Sequence, residues 1–254
     1  MPKVQYSSDG TIKLDFSDGY TAVIIPHKDG KIAVCVSCQI GCPIGCTFCY
    51  TAKLGFKRNL TAEEILNQID ESVKLAGKLT SVIFMGMGEP MANFSQVNKS
   101  IELIHEKYSL SYKKITLSTM GVNLDKLKNI KFRVAISLHS PYDEERKKLI
   151  PLAKPIQEMI DYSHSITHKD GVMIAYTLIK GVNDTQKHLE KLLSLNWNKN
   201  VYFNLIEFND IDNMKRSDNL KMFREKIMAA GYKCFTRQSR GSDIGAACGM
   251  LDFE

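Results

Sequence analysis

The sequence predicts an α/β fold: a partial (β/α)6 barrel of TIM type with a small antiparallel β extension at the N-terminus. Three observations carry this. Six apolar runs of strand length follow one another from Ile32 onward, segments of helical period separate them, and the first 31 residues instead carry short runs broken by turn signals. Strands buried on both faces read as continuous apolar sequence, as in a parallel sheet covered by helices. A length of 254 residues suffices for one barrel-sized core.

In residues 1–31, Val4–Tyr6, Ile12–Phe16 and Tyr20–Ile25 are separated by SSDG, SDG and HKDG, which predicts a three-stranded meander. Residues 32–254 are expected to form the barrel domain. Its strands are placed at Ile32–Ser37, Ser81–Gly86, Lys114–Thr119, Arg133–His139, Val172–Ile179 and Val201–Phe208, with a last one at Lys233–Arg237. The clearest helix starts at Thr61, where Thr61 and Glu64 form a capping-box pattern and Ile65, Leu66, Ile69, Val73 and Ala76 recur at helical spacing before Gly77. Further helices are expected at Gln96–Tyr108, Asp143–Ile150, Ile156–Thr167, Lys187–Leu195 and Asp218–Ala230.

Composition is that of a soluble globular protein, with 44% hydrophobic and 24% charged residues. No apolar stretch approaches the roughly 18 residues of a membrane span, and MPKVQYSSDG contains no secretory h-region; a cytoplasmic protein is expected. The net charge of +6 suits an anionic partner and equally a solubility bias. Of seven cysteines, five fall between Cys35 and Cys49. In a reducing compartment that density points to metal or thiol chemistry rather than disulfides.

Two readings of these cysteines are open. Cys42-x3-Cys46-x2-Cys49 follows the first barrel strand, and three closely spaced thiolates can ligate an iron–sulfur cluster while leaving one iron of four open to a small molecule. Alternatively, Cys35-x2-Cys38 and Cys46-x2-Cys49 make a four-cysteine zinc site in a non-catalytic RNA-binding module, with Cys42 idle. Position favours the first, because such folds place chemistry at the C-terminal ends of barrel strands.

The segments CVSCQIGCPIGCTFC, GFKRNLTAEEI, MGMGEPMAN, ITLSTMGV, AISLHSP, NLIEFN and RGSDIGAACG, in that order, resemble the adenine-methylating radical S-adenosylmethionine (SAM) RNA enzymes, the RlmN/Cfr family. The resemblance implies a radical SAM barrel in which Cys42, Cys46 and Cys49 ligate a [4Fe–4S] cluster. It places SAM on Gly88, Glu89, Ser118, Ser137, His139 and Asn209, with the Glu89 carboxylate facing the SAM ammonium group. It implies methylation of an adenosine carbon, C2 first and C8 as the alternative, in rRNA or tRNA. These carbons are too electron-poor to attack a methyl group. In the implied route Cys248 accepts a methyl from one SAM, a radical made from a second SAM removes hydrogen from it, and the carbon radical adds to adenine. Cys35 would assist proton removal and release the product as a Cys35–Cys248 disulfide. An electron donor such as flavodoxin or ferredoxin is also implied. Cys38 and Cys234 have no implied role; the latter reads as core packing.

Three features depart from the family. Only 34 residues precede Cys35, so the helical RNA-recognition domain is expected to be missing and a separate recognition partner is a candidate. Six residues follow Cys248, without a basic tail. Thr21 stands where the family often carries a glutamate proton acceptor. Lys53, Lys57, Arg58, Arg237 and Arg240 are candidates for phosphate contact. A non-RNA substrate, a nucleotide or a peptide, is the remaining alternative.

Overall fold

The computed structural model describes residues 1–166 and 171–251. The fold is α/β, and the chain divides into two compact units.

The first unit comprises residues 1–45, 49–118 and 240–254. It begins with β1 (Lys3–Tyr6), β2 (Ile12–Asp15), β3 (Thr21–Pro26) and β4 (Ile32–Cys35), paired antiparallel in sequence order. The meander therefore continues directly into the strand before the cysteine segment. One face of β2 and β3 buries Leu14, Ala22 and Ile24 against Val4, Ile12, Phe16, Ile32 and Ala76. Strands alternate faces, so Lys13, Asp15, Thr21 and Val23 share the opposite face. Val23 stands in register with Cys35 there.

After β4 come a ribbon strand, β5 (Gln39–Gly41), a single helical turn, α1 (Tyr50–Lys53), and the second ribbon strand, β6 (Phe56–Asn59). Helix α2 (Ala62–Ala76) starts at the expected capping box: Thr61 Oγ1 accepts from Glu64 N–H at 3.2 Å, and Glu64 Oε2 accepts from Thr61 N–H at 2.8 Å. It stops at Gly77, whose φ of 72° is left-handed and whose N–H donates to the Val73 carbonyl. Strand β7 (Ser81–Phe84) pairs parallel with β4, helix α3 (Phe94–Tyr108) packs against α2, and β8 (Ile115–Thr119) pairs parallel with β7.

The second unit comprises residues 46–48 and 119–239. Its order is β9 (Arg133–Ser137), α4 (Asp143–Leu149), α5 (Ile156–Ser165), β10 (Met173–Leu178), α6 (Gln186–Ser194), β11 (Tyr202–Glu207), α7 (Leu220–Ala229) and β12 (Lys233–Arg237). Strands β9 to β12 pair in parallel in sequence order. Ile136, Ile174, Phe203 and Leu205 are fully buried, as continuous apolar runs require. Thr167, the last residue of the expected 156–167 helix, lies outside the described residues. No helix among the described residues is long and apolar enough to cross a membrane.

The second unit also buries two polar side chains within its apolar core. Arg146, fully buried, donates to the carbonyls of Leu138 (3.0 Å), Lys154 (2.6 Å), Met120 (2.6 Å) and Ser137 (3.2 Å). Asn183, also fully buried, donates to the carbonyls of His139 and Thr177 at 2.7 Å and accepts from Ile179 N–H at 2.7 Å. Loops beyond the strand ends are thus fixed by side chains that saturate buried carbonyls.

Candidate active site

Beyond β4 the chain crosses under the MGMGEP segment. Gly86 N–H donates to the Val36 carbonyl (3.1 Å), Cys38 N–H to the Met87 carbonyl (2.9 Å) and Met87 N–H to Ser37 Oγ (3.0 Å). The approach is close enough to demand glycine. A Cβ at Gly86 would lie 2.7 Å from the Val36 oxygen, and at Gly88, where φ is +102°, 2.7 Å from the Gln39 Cβ. Gln39 accepts from Glu89 N–H at 2.8 Å and donates to Asn59 Oδ1 at 2.8 Å. Glu89 is buried, and its Oε1 accepts from Met91 N–H at 3.0 Å, capping the short 3₁₀ turn Pro90–Asn93. Asn93 donates to the carbonyls of Cys38 and Leu60, both at 2.8 Å.

The thiols sit beside this scaffold. Cys42 N–H donates to the Gly55 carbonyl at 3.1 Å. Burial pushes its thiol up to about 12; the charges of Cys49 and Glu89 act in the same direction, against a backbone hydrogen bond at Ile44. Cys49 is raised by burial and by the charge of Cys248. Cys248 is solvent-exposed. The segment around it is stitched to α1: Tyr50 N–H donates to the Gly249 carbonyl (2.8 Å) and Thr51 Oγ1 to the Leu251 carbonyl (3.2 Å). Its other end is tied to the meander, with Gly241 N–H on Asp9 Oδ2 (2.9 Å), Ser7 Oγ on Asp243 Oδ1 (2.6 Å) and Arg240 on the Pro26 carbonyl.

Cys35 is buried at the end of β4, in register with Val23 and Ile83. Cys38 donates through Sγ to the Met87 carbonyl at 3.6 Å, which occupies it in packing rather than in a four-cysteine zinc set. Among the described residues no three Cys, His, Asp or Glu side chains are grouped to hold a metal ion. The donor set nevertheless fits an iron–sulfur cluster. Thiols at Cys42 and Cys49 that resist ionisation when alone acquire a reason to be anionic only when a soft cation compensates them. Ser118 is partly buried near the end of β8.

In the second unit, Cys46 is buried, and Thr47 N–H donates to the Leu149 carbonyl at the end of α4 (3.0 Å). Phe48 meets the His139 ring edge-on at 5.0 Å. His139 follows β9 in the left-handed region (φ 59°) and is buried. Its Nδ1 accepts from Thr177 N–H at 3.0 Å, leaving Nε2 as the protonated nitrogen. Burial, helped by the Arg146 charge, lowers its pKa to about 3. Ser137, buried in β9, accepts from Arg146 through its carbonyl, and Asn209 accepts from Ser239 Oγ.

Sequence reasoning missed two things here. Arg58, a candidate for phosphate contact, forms a two-pronged ion pair with Glu64 (2.9 and 2.8 Å) and lies 3.6 Å from Asp18. Arg240 is likewise occupied by the Pro26 carbonyl. Thr21 has a carboxylate neighbour one strand away: its Oγ1 donates to Asp15 Oδ1 at 3.2 Å, with Lys13 Nζ at 3.2 Å from the same oxygen. A Lys-x-Asp pair on the meander was the available signal.

Comparison with known proteins identifies the family. The model of the radical SAM superfamily matches residues 36–195. A probable dual-specificity RNA methyltransferase RlmN of Parabacteroides distasonis is 42% identical over 97% of this chain and 76% of the relative. The dual-specificity RNA methyltransferase RlmN of Psychrobacter arcticus is 38% identical over 98% of this chain and 72% of its own. Among solved structures, a radical SAM methyltransferase from Sphaerobacter thermophilus superimposes with a TM-score of 0.90 at 34% identity, covering 100% of this chain and 81% of that one. Streptococcus suis SuiB bound to S-adenosylmethionine shares the fold alone, with a TM-score of 0.58 at 15% identity over 82% of this chain and 50% of that one. Enzymes of the superfamily use a [4Fe–4S] cluster and SAM, and this chain belongs to it, within the RlmN/Cfr-like family.

Proposed function

We propose that this protein methylates an adenine carbon, C2, of rRNA or tRNA through a methyl group carried on Cys248. The observation that supports the reading is an exposed cysteine on a segment hydrogen-bonded, through Tyr50 N–H to the Gly249 carbonyl, to the turn that begins directly after Cys49, the last cysteine of the C-x3-C-x2-C motif. A methyl carrier has to be open to its substrate and adjacent to the radical source; a packing thiol needs neither.

Cys42, Cys46 and Cys49 would hold the cluster, and Gly88, Glu89, Ser118, Ser137, His139 and Asn209 would hold SAM. When bound, the two supply the one-electron chemistry that a carbon as electron-poor as adenine C2 requires. Glu89 is kept in place by the Met91 cap and by Gln39, ready to meet an ammonium group. His139 offers a neutral Nε2–H donor. Cys248 is the nucleophile toward the methyl group, and Cys35 the thiol that resolves the covalent RNA adduct. Loss of the adenine proton needs an acceptor, and the Asp15 carboxylate on Thr21 lies on the sheet face of Cys35. An electron donor of flavodoxin or ferredoxin type fits a one-electron cycle in the cytoplasm.

The test is anaerobic reconstitution with iron, sulfide, SAM and a reductant, incubation with rRNA and tRNA, and nucleoside mass spectrometry. C2-methyladenosine is expected. C8-methyladenosine would move the reaction to the other carbon, and unmodified RNA alongside SAM turnover would move it to a non-RNA substrate.

A further inference from the structure

The stretch between the cluster motif and α2 contains five consecutive exposed residues, Lys53, Leu54, Gly55, Phe56 and Lys57. Phe56 is 48% exposed and Leu54 38%. The other large exposed hydrophobic residues among those described stand singly, at Met1, Tyr6, Leu75, Leu152, Val182, Met228 and Phe235, as is ordinary for a protein surface. Here two occur within three residues, with a lysine at each end.

Local geometry explains why the ring is left uncovered. Phe56 stands in register with Gly41, which has no side chain to place across from it. Gly41 cannot be enlarged: its φ is +70°, and a Cβ there would come within 1.7 Å of the Gly55 oxygen. The tip is braced at both roots by residues of the site. Cys42 N–H holds the Gly55 carbonyl, and the α1 turn that leads into the tip begins directly after Cys49 and is bonded at Tyr50 to Gly249.

We infer that this tip grips single-stranded RNA beside the target adenosine, with the Phe56 ring stacked on a neighbouring base and Lys57 paired with a phosphate. The inference rests on the RNA-methylating reading above and gives it a substrate contact. Aromatic rings interleaved with cations are how proteins hold unpaired RNA, because every base presents a π-face and every linkage a charge. A protein partner would call for a broader patch depleted of charge at its core. Arg58 contributes structure instead, since Glu64 holds it and anchors the ribbon to α2.

The experiment uses the reconstituted holoenzyme and a synthetic hairpin RNA with an adenosine-containing single-stranded loop, with affinity measured by fluorescence anisotropy at several salt concentrations. Phe56→Ala is expected to weaken binding by on the order of 10-fold with an unchanged salt slope, and Phe56→Trp to restore it. Lys57→Gln is expected to reduce the salt slope by about 0.7. Iron content and visible absorbance report that the variants are intact, and Tyr6→Ala, removing an aromatic that is 67% exposed, should bind as wild type does. Wild-type affinity in Phe56→Ala, or an equal loss in Tyr6→Ala, overturns the inference. The two readings fail separately: a hairpin bound through Phe56 yet never methylated sinks the methyltransferase assignment, whereas a hairpin methylated with full affinity by Phe56→Ala sinks only the contact.

Discussion

Arg146 and Cys42 are both reactive or charged groups withdrawn from water, and the protein treats them in opposite ways. Arg146 is given four carbonyl acceptors, so its charge is spent on the framework of the second unit, although burial lowers its pKa to about 10. Cys42 is surrounded by groups that oppose its ionisation, with Cys49 and Glu89 adding like charge to the effect of burial. The difference teaches how to separate support from chemistry in this molecule. A buried polar group whose bonds all return to the chain belongs to the framework, while buried thiols whose ionisation is opposed stay neutral until a metal ion displaces their protons.

Substitutions on either side can break that distinction. Replacing Cys42, Cys46 and Cys49 together with alanine should remove all brown colour and all SAM cleavage while the metal-free chain melts close to the metal-free wild type. Retained cluster absorbance would refute the assignment. Arg146→Met should do the reverse, lowering the unfolding free energy of the metal-free chain by about 3–5 kcal/mol in denaturant titration, because four carbonyls, two of them in fully buried bonds, lose their donor.

His139 offers a sharper test through pH. Its folded pKa is depressed from 6.5 to about 3, so between those values the unfolded chain binds the extra proton and stability rises with pH. The benefit is present above pH 6.5 and drains away as pH falls towards 3. From pH 7 to pH 5 the loss attributable to His139 should be about 2 kcal/mol, and His139→Gln should flatten that part of the profile. An unchanged slope would mean the ring is solvated in the native state. The smallest expected effect belongs to Glu89→Ala, which should weaken SAM binding by about 10-fold in isothermal titration of the holoenzyme while leaving iron content alone. Equal affinity would reduce the GEP segment to a turn.

Most of the fold was legible because continuous apolar runs and a capping box are local signals. The expected strand at Arg133–His139 became β9 at Arg133–Ser137, with a left-handed His139 two residues past its end. The ribbon of β5 and β6 was missed, since three or four residues such as Gln39–Gly41 carry no readable period and their pairing depends on tertiary fit. In the site, the cysteine spacing was legible. The hydrogen bond from Tyr50 to Gly249, residues 199 positions apart by numbering (249 − 50), was not, and neither was the capture of Arg58 by Glu64. A charged residue looks the same in sequence whether it faces a phosphate or its own helix cap.

The stitch from Tyr50 and Thr51 to Gly249 and Leu251 also bears on the protein's life before it is an enzyme. The backbone leaving Cys49 and the backbone leaving Cys248 are one hydrogen-bonded seam, so whatever frays one loosens the other. A cluster held by Cys49 would therefore brace the Cys248 segment as well.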